Sequence, residues 1–173
     1  MESKIELSSA DAVKTFPAFP VVLVAMGDEE RNVFTVGLVQ AFSFNPLILG
    51  IGVHPSRHSF KLLQNLADFS VNIPGKELVE QVLYCGTKSG RDTDKFKETG
   101  LTAVTGKKIK SPVIGECLVN FECKKSKVIE MGDRTWFCGE VVNIEAAKDY
   151  ARDKGMLYWG GEFRMPGEVF RRR

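Results

Sequence analysis

The sequence has few of the groups that most enzymes use for acid–base and hydrolytic chemistry. It contains two histidines, His54 and His58, and neither a GxSxG nor an HExxH motif. Two histidines so close together leave little room for a Ser/His/Asp or Cys/His catalytic set. Pro55 lies between them and disfavours a continuous helix that aims both rings at one metal ion. Hydrolysis and metal binding are therefore both disfavoured.

The common nucleotide-binding fingerprints are missing as well. There is no P-loop, and the nearest approach to GxGxxG is Gly50-Ile51-Gly52. Those glycines lie inside an apolar run instead of between a strand and a helix, where a dinucleotide-binding turn needs them. None of the four cysteines forms a CxxC pair, which excludes a zinc knuckle or a dithiol redox motif and predicts free buried thiols.

Charge of one sign and long apolar runs are also lacking. The 24 basic and 22 acidic residues give a net charge of +2, too balanced for a nucleic-acid or membrane-surface footprint. The one basic cluster, Arg171 to Arg173, is terminal and is interpreted as a solvated tail. No run reaches the roughly 18 apolar residues of a membrane span. Met1 to Glu6 does not have the order of a signal peptide, so a cytoplasmic protein without nucleic-acid or membrane partners is expected.

Apolar, β-rich runs dominate what is present. No linker or repeat divides the 173 residues, which predicts a single domain over residues 1–173. At least six strands are indicated, with two to four short helices. Antiparallel strands joined by short turns favour a closed barrel, so the predicted class is mainly β with short helices, an antiparallel barrel with helices over its openings. The apolar runs are Phe19 to Ala25, Val33 to Val39, Leu47 to Val53, Phe69 to Ile73, Ile114 to Ile129 and Thr135 to Ala146.

Local patterns refine this prediction. Ser56 is expected to cap a helix in which Phe60, Leu63 and Leu66 recur at helical spacing. Further helices are predicted over Glu77 to Tyr84 and around Asp94 to Glu98, and a hairpin is predicted at Gly132-Asp133-Arg134. In the first long strand, the alternation places Leu118, Asn120 and Glu122 outside the apolar set.

The run ending at Val53 leads directly into a polar cluster at a helix start. Arg57, His58 and Ser59 combine a guanidinium, a ring N–H and a hydroxyl with the free amides of a first helical turn. That set suits a phosphate group. The alternative is that Ser56 or Ser59 only caps the helix while Arg57 is solvated. A phosphorylated cofactor also accounts for the missing catalytic groups, because it brings its own chemistry.

Many short motifs, in order along residues 15 to 145, resemble the flavin reductase-like family of FMN-binding split barrels. The run from Ser89 to Phe96, with the pattern SGRDxDKF, is most similar to the flavoredoxin branch. The other matching motifs are Phe19-Pro20-Val21-Val22-Leu23-Val24, Asn32-Val33-Phe34-Thr35-Val36-Gly37, Ser43-Phe44-Asn45-Pro46, Phe69-Ser70-Val71-Asn72-Ile73-Pro74, Cys85-Gly86-Thr87-Lys88, Glu122-Cys123 and Gly132-Asp133-Arg134 with Phe137-Cys138-Gly139-Glu140-Val141-Val142.

The resemblance implies a homodimer with FMN near the subunit interface. It implies an oxidoreductase whose flavin accepts electrons at N5 from NADH or NADPH bound transiently, so that no protein side chain is itself catalytic. Two alternatives stay open. One is a flavoredoxin-like electron carrier that receives electrons from a redox-protein partner without direct use of NAD(P)H. The other is a split barrel that binds a ligand without redox turnover.

The resemblance also carries site residues over. Those expected to line the flavin ring are Thr35, Val36, Ala41, Phe42 and Ser43, and the further contacts are Ser89, Arg91, Lys95, Asn72 and Arg134, in addition to Arg57, His58 and Ser59. The alternatives are ordinary strand packing for the ring set, a solvated loop for Ser89 to Lys95, and a turn before Pro74 for Asn72. Many relatives carry histidine where this chain has Arg134, a permanent cation that favours an anionic reduced flavin or an acidic nucleotide.

The aromatic residues Tyr158, Trp159 and Phe163 follow the last predicted strand. They either cover a ring or the partner subunit, or dock against the barrel. The electron donor and acceptor are not specified by any motif.

Overall fold

The computed structural model describes residues 4–8, 11, 15–16 and 18–170, so Met1 to Ser3 and the basic cluster Arg171 to Arg173 lie outside the described residues. The strands are β1 (Phe19–Pro20), β2 (Val22–Met26), β3 (Asn32–Val36), β4 (Val39–Phe44), β5 (Leu47–Val53), β6 (Asp68–Ile73), β7 (Ala103–Thr105), β8 (Pro112–Ile114), β9 (Val119–Met131), β10 (Arg134–Ala146), β11 (Leu157–Trp159) and β12 (Glu162–Arg164). The helices are α1 (His58–Asn65), α2 (Val79–Thr87) and α3 (Lys95–Thr99), with short 3₁₀ turns at Lys76–Leu78 and Arg152–Lys154.

The main sheet has seven antiparallel strands in the order β3-β2-β6-β9-β10-β5-β4. Its two edge strands, β3 and β4, follow each other in the chain and are joined by Gly37 and Leu38. The N–H of Gly52 on β5 donates to the carbonyl of Leu38 at 2.8 Å. Two residues tie the two edges together, so the sheet curls round into a barrel with a seam between β3 and β4. The predicted β-rich antiparallel barrel with short helices is confirmed.

The barrel interior is apolar and closed at one opening by α1. Phe69 and Phe137 are fully buried there, together with alternate residues of β2, β3 and β5. Phe60 of α1 packs edge-on against Phe137, with ring centroids 5.5 Å apart. Burying each such large side chain contributes about 2 kcal/mol of stability, so the inner core holds α1 in place.

A second apolar cluster covers the outside of β2 and β3. It joins Leu23 and Val33 to Leu78, to Val82 of α2 and to Met156. Both faces of β2 are therefore covered, which explains why all five of its residues are buried and apolar, as in a strand buried on both sides. The predicted helix over Glu77 to Tyr84 is α2, preceded by a 3₁₀ turn.

Of the C-terminal aromatic residues, Phe163 docks against the barrel, whereas Tyr158 and Trp159 are 41% and 45% exposed. Strand β11 pairs with β1 and with β12. Phe163 joins the second apolar cluster and packs edge-on against Tyr158 at 5.5 Å. The guanidinium of Arg164 lies 5.1 Å from the centre of the Trp159 ring, a cation–π distance.

Two local predictions are wrong. The expected continuous run Val33 to Val39 is broken at Gly37 and Leu38, and a separate edge strand, β4, follows up to a turn with a cis Asn45–Pro46 bond. Ser56 does not cap α1. Arg57 is the N-cap and no side chain caps the helix, because the Ser56 hydroxyl lies 2.8 Å from Nδ1 of His54.

Glu122 was expected to lie outside the apolar set, but the structure buries it. It lies on the outer face of β9, but β7, β8 and the turn at 105–111 cover that face, and the residue is 1% exposed. Its Oε1 accepts from the Lys107 N–H at 3.0 Å and the Asn143 amide at 2.8 Å, and its Oε2 accepts from the Lys108 N–H at 2.6 Å. Burial acts to raise the pKa of Glu122, but these donors outweigh it and the pKa is lowered.

The expected run Ile114 to Ile129 is also wrong, because a turn at 115–118 separates β8 from β9, and Leu118, expected outside the apolar set, is buried. Other local expectations are confirmed. Gly132 has a φ of +61°, in the region that favours glycine, and turns β9 into β10. Asp94 caps α3 by accepting from the Lys97 N–H at 3.2 Å. All four cysteines are free and buried. None of the helices in the described part of the chain is long and apolar enough to cross a membrane.

Candidate functional site

The start of α1 is left without a protein cap. Arg57 is its N-cap, no side chain among the described residues accepts from the first-turn amides, and no acidic residue stands in the first turn. These amides and the positive end of the helix dipole suit an anion. Arg57 is exposed, His58 is half-buried, and Ser59 is buried at 5% exposure.

Asn32 connects this helix start to the barrel, and sequence reasoning missed it. Its Nδ2 donates to Oγ of Ser59 at 3.0 Å, and both residues are 5% exposed. In the sequence, Asn32 stands only as the first residue of a family motif and was not among the expected site residues. No local pattern identifies a partner so far along the chain, so only the folded structure shows this contact.

Lys95 is a buried cation in the first turn of α3. It is 4% exposed, and its Nζ donates to the Cys85 carbonyl at 2.8 Å. Burial lowers the pKa of Lys95, the electrostatic interaction with Cys85 opposes that change, and the charge of Arg57 lowers the pKa further. Arg57 and Lys95 therefore lie within electrostatic range of each other. The alternative of a solvated Lys95 is wrong.

The loop from Ser89 to Asp94 packs against this cluster. A Cβ on Gly90 would come within 2.3 Å of Oδ1 of Asn32, so this position needs glycine for the close approach. The Ser89 hydroxyl accepts from the Arg91 N–H at 3.2 Å and shapes the turn. Arg91 is exposed and lines an open groove of about 730 Å³ with the acidic turn at 28–31. The loop thus reaches Asn32 through Gly90, while Arg91 faces the groove.

Two of the ring residues use their side chains within the protein. Thr35 Oγ1 donates to the Val82 carbonyl of α2 at 2.5 Å, and Val36 is 4% exposed in the barrel core. What they leave for a ligand is backbone, since β3 is an edge of the sheet and only its inner side pairs with a strand in the described part of the chain. Free N–H and C=O groups along the seam suit the polar edge of a flat ring.

The other ring residues lie on β4, across the seam. Ala41 packs on the barrel core, and a bulge between Ala41 and Ser43 interrupts the pairing with β5. Phe42 points outward, 46% exposed, with its ring 5.2 Å from that of Trp136. It lies over Gly50, where a Cβ would come within 2.6 Å of the Phe42 ring. The seam is therefore bordered by the backbone of β3 on one side and by the ring pair Phe42 and Trp136 on the outer side of β4.

Arg134 and Asn72 have different surroundings. Thr135 pairs with Val53, so Arg134 lies at the register position opposite His54, beside the phosphate candidates. Its guanidinium is 3.5 Å from the Asp133 carboxylate. Asn72 is fully buried in the barrel wall. Its amide donates to the Leu23 carbonyl and the Ser70 hydroxyl and accepts from the Ile114 N–H and the Asn120 amide.

These four bonds use the full capacity of an asparagine side chain. Asn72 therefore joins neighbouring segments of the wall, and its contact with a cofactor stays a prediction. The structure brings Ser59, Asn32 and Gly90 into contact at the helix start that also carries Arg57 and His58, and Lys95 is close enough for the charge of Arg57 to lower its pKa.

The donor chemistry of this cluster fits a phosphate group. Lys95 has three N–H donors, and within the described residues one is used. The Ser59 hydroxyl likewise has no acceptor among them. Buried donors are normally paired, so an anion at the start of α1 would accept from the remaining N–H groups of Lys95 and the O–H group of Ser59, which have no acceptor among the described residues.

The sequence matches the model of the flavin reductase like domain over residues 13–167. A protein of Archaeoglobus fulgidus is 38% identical over 130 residues, 73% of each chain. An NADH-dependent FAD reductase of Streptomyces globisporus is 29% identical over 155 residues, 87% of this chain and 82% of the relative.

Among solved structures, flavoredoxin from Methanosarcina acetivorans superposes with a TM-score of 0.85 at 25% identity, covering 97% of this chain and 94% of the other. The family match extends across the barrel, the uncapped start of α1 and the loop that packs on it. The chain therefore belongs to the flavin reductase-like family.

Proposed function

We propose that the protein binds FMN and works as an oxidoreductase that accepts electrons from NADH or NADPH. The observation that carries this proposal is the cluster of buried, unused donors at the start of α1, which suits the phosphate of FMN. Bound FMN supplies the redox chemistry, by accepting electrons at N5. The protein residues bind and orient it: Arg57, His58, Ser59 and Lys95 hold the phosphate, and the seam holds the ring. The similarity to an NADH-dependent FAD reductase supports a nicotinamide donor.

An anaerobic titration tests the donor. Protein reconstituted with FMN is titrated with NADH and then with NADPH while the visible flavin bands are recorded. Bleaching by either nucleotide at a stoichiometric amount supports the reductase. Protein that retains no FMN after gel filtration contradicts the proposal at its first step.

The second candidate is an electron carrier without direct use of NAD(P)H. The similarity to a flavoredoxin favours it, together with the run from Ser89 to Phe96. In this case the FMN bands persist with both nucleotides and bleach only with dithionite or a reduced redox protein. A flavin that binds but is reduced by neither route indicates a ligand-binding barrel.

We also propose that the protein is a homodimer. Edge strand β4 exposes Phe42 at 46% and Phe44 at 85%, next to Trp136, and a second copy that covers this face removes apolar surface from water. Sedimentation velocity is expected to give a dimer, and Phe44→Glu a monomer. Val104→Glu, 43% exposed on β7, is the matched control and is expected to stay dimeric. A monomeric unsubstituted protein contradicts the dimer alone.

Two coarser proposals complete the assignment. Residues 1–173 form one flavin-binding domain, and the protein acts in the cytoplasm, where free cysteines such as Cys85 and Cys117 stay reduced. Limited proteolysis tests the first, because a single domain gives no stable half-length fragment. Fractionation of the native host tests the second.

A further inference from the structure

The hydrogen bond between Asn32 and Ser59 has a fixed direction. An amide nitrogen can only donate, so Oγ of Ser59 is the acceptor of the 3.0 Å bond from Nδ2. The Ser59 hydroxyl proton must then point elsewhere. Within the part of the chain that the structure describes, no acceptor for it is present, although Ser59 is 5% exposed. A buried hydroxyl donor is thus kept available at the start of α1.

Asn32 itself is held from two sides. Its backbone starts β3, which pairs with β2 through Met26. Its Oδ1 lies against Gly90, where even a Cβ would come within 2.3 Å. In this arrangement the amide nitrogen faces Ser59 and the amide oxygen faces Gly90. The bond thus runs from the Asn32 amide to the Ser59 oxygen.

We propose that Asn32 is a positioning residue that makes Ser59 a hydrogen-bond donor to the phosphate monoester of FMN, and that this pair sets the preference of the site for phosphorylated over unphosphorylated flavin. The inference rests on the proposed FMN site and adds to it a residue that determines specificity. Asn32 acts through Ser59 and need not touch the flavin.

Asn32→Asp tests the direction of the bond with almost no change of shape. A carboxylate accepts where the amide donated, so the Ser59 proton turns toward residue 32 and is lost to the ligand. The carboxylate also places a negative charge near the phosphate. Both changes oppose FMN, whereas riboflavin has the same ring and no phosphate. The ratio of the two affinities is therefore the readout.

The experiment measures dissociation constants for FMN and riboflavin by quenching of flavin fluorescence. For Asn32→Asp, the FMN affinity is expected to fall about 100-fold and the riboflavin affinity less than about twofold. Ser59→Ala removes the donor without adding charge and is expected to weaken FMN about tenfold. Asn65→Asp makes the same charge change at the exposed end of α1 and is expected to leave the ratio unchanged.

A ratio of FMN to riboflavin affinity that does not change in Asn32→Asp overturns the inference. This includes the case in which both affinities fall equally, because an equal loss marks a structural role. If Asn32→Asp does not fold, Ser59→Ala decides by the same ratio. An unsubstituted protein that binds neither flavin overturns the proposed function itself, a result distinct from all of these.

Discussion

Lys95 holds its charge almost out of contact with water, and its effect is expected to depend on the ligand. It is 4% exposed, and burial lowers its pKa before any anion is bound. A phosphate beside the ammonium replaces the lost hydration. We therefore expect Lys95→Met to reduce FMN affinity at least about tenfold and to change riboflavin affinity little, as measured by fluorescence quenching.

Lys97→Met is the matched control, because Lys97 is exposed on the same helix, α3. It is expected to bind FMN as the unsubstituted protein does. Equal losses of FMN affinity in the two variants would show that the affinity depends on the net charge of the protein and not on the position of Lys95.

Part of this site could be predicted from the sequence alone. Arg57, His58 and Ser59 were predicted because they stand together at a helix start. Asn32 was not, because its partner lies on α1 and sequence position does not reveal that contact. Lys95 looked equally like a solvated residue, because a charged loop is usually exposed and only tertiary packing buries it.

At the scale of the elements, Lys125 fixes the end of α1. Its Nζ donates to the carbonyls of Leu63 and Gln64 at 2.7 and 2.8 Å. These carbonyls belong to the last turn. A cation there also interacts favourably with the negative end of the helix dipole. We expect Lys125→Met to lower the free energy of unfolding by about 1–2 kcal/mol, as measured by urea denaturation.

Lys127→Met on the same strand is the control for Lys125. Lys127 is exposed and makes no ion pair in the described part of the chain, so its substitution is expected to cost little. If both variants are equally stable, the two bonds to α1 contribute nothing measurable.

Glu122 gives the turn at 105–111 a dependence on pH. Its folded-state pKa is lowered, so its contribution is present above the unfolded pKa and is lost as pH falls through the folded pKa. Glu122→Gln removes the pH-dependent contribution of the carboxylate to stability, and it turns an NH₂ group toward backbone N–H donors. We expect the free energy of unfolding to fall by about 2–3 kcal/mol near neutral pH and by less in acid. Thermal or urea unfolding between about pH 3 and pH 7 measures both.

Glu140→Gln is the control for this profile, because Glu140 is exposed on the neighbouring strand β10. It is expected to keep the pH dependence of the unsubstituted protein. The same slope in Glu122→Gln would contradict the role of the buried carboxylate.

The strands themselves were largely predictable, since apolar runs bounded by turns are typical of β-structure. The failures have physical causes. Glu122 alternated correctly onto the outer face of β9, but its burial depends on β7 and β8, which come from elsewhere in the chain. Leu38 looked like the interior of a strand, yet it connects the two edges of the sheet, a feature of topology that no local pattern specifies.

At the scale of the whole molecule, the four cysteines report on the integrity of both cores. Cys85 and Cys117 lie in the outer cluster, Cys123 lies in the inner one, and Cys138 is also buried. Burial raises the pKa of Cys85 to about 11, against a smaller opposing effect of Lys95, and burial also raises the pKa of Cys123 to about 12. Thiols in this state react slowly, because the thiolate is the nucleophile.

We expect no thiol to react with Ellman's reagent in the native protein over minutes, and all four to react in guanidinium chloride. The absorbance of the released thiolate counts them. Rapid reaction of one thiol in the native protein would show that one of the two cores opens locally.

The place of the long β9–β10 hairpin in the sheet has a consequence for synthesis on the ribosome. This hairpin lies between β6 and β5, two strands that leave the ribosome well before it does. Until the hairpin arrives, β5 and β6 each present an unpaired edge that can associate with other chains. The barrel therefore closes only after the chain through Ala146 has emerged, and the nascent chain exposes these two strand edges during that interval.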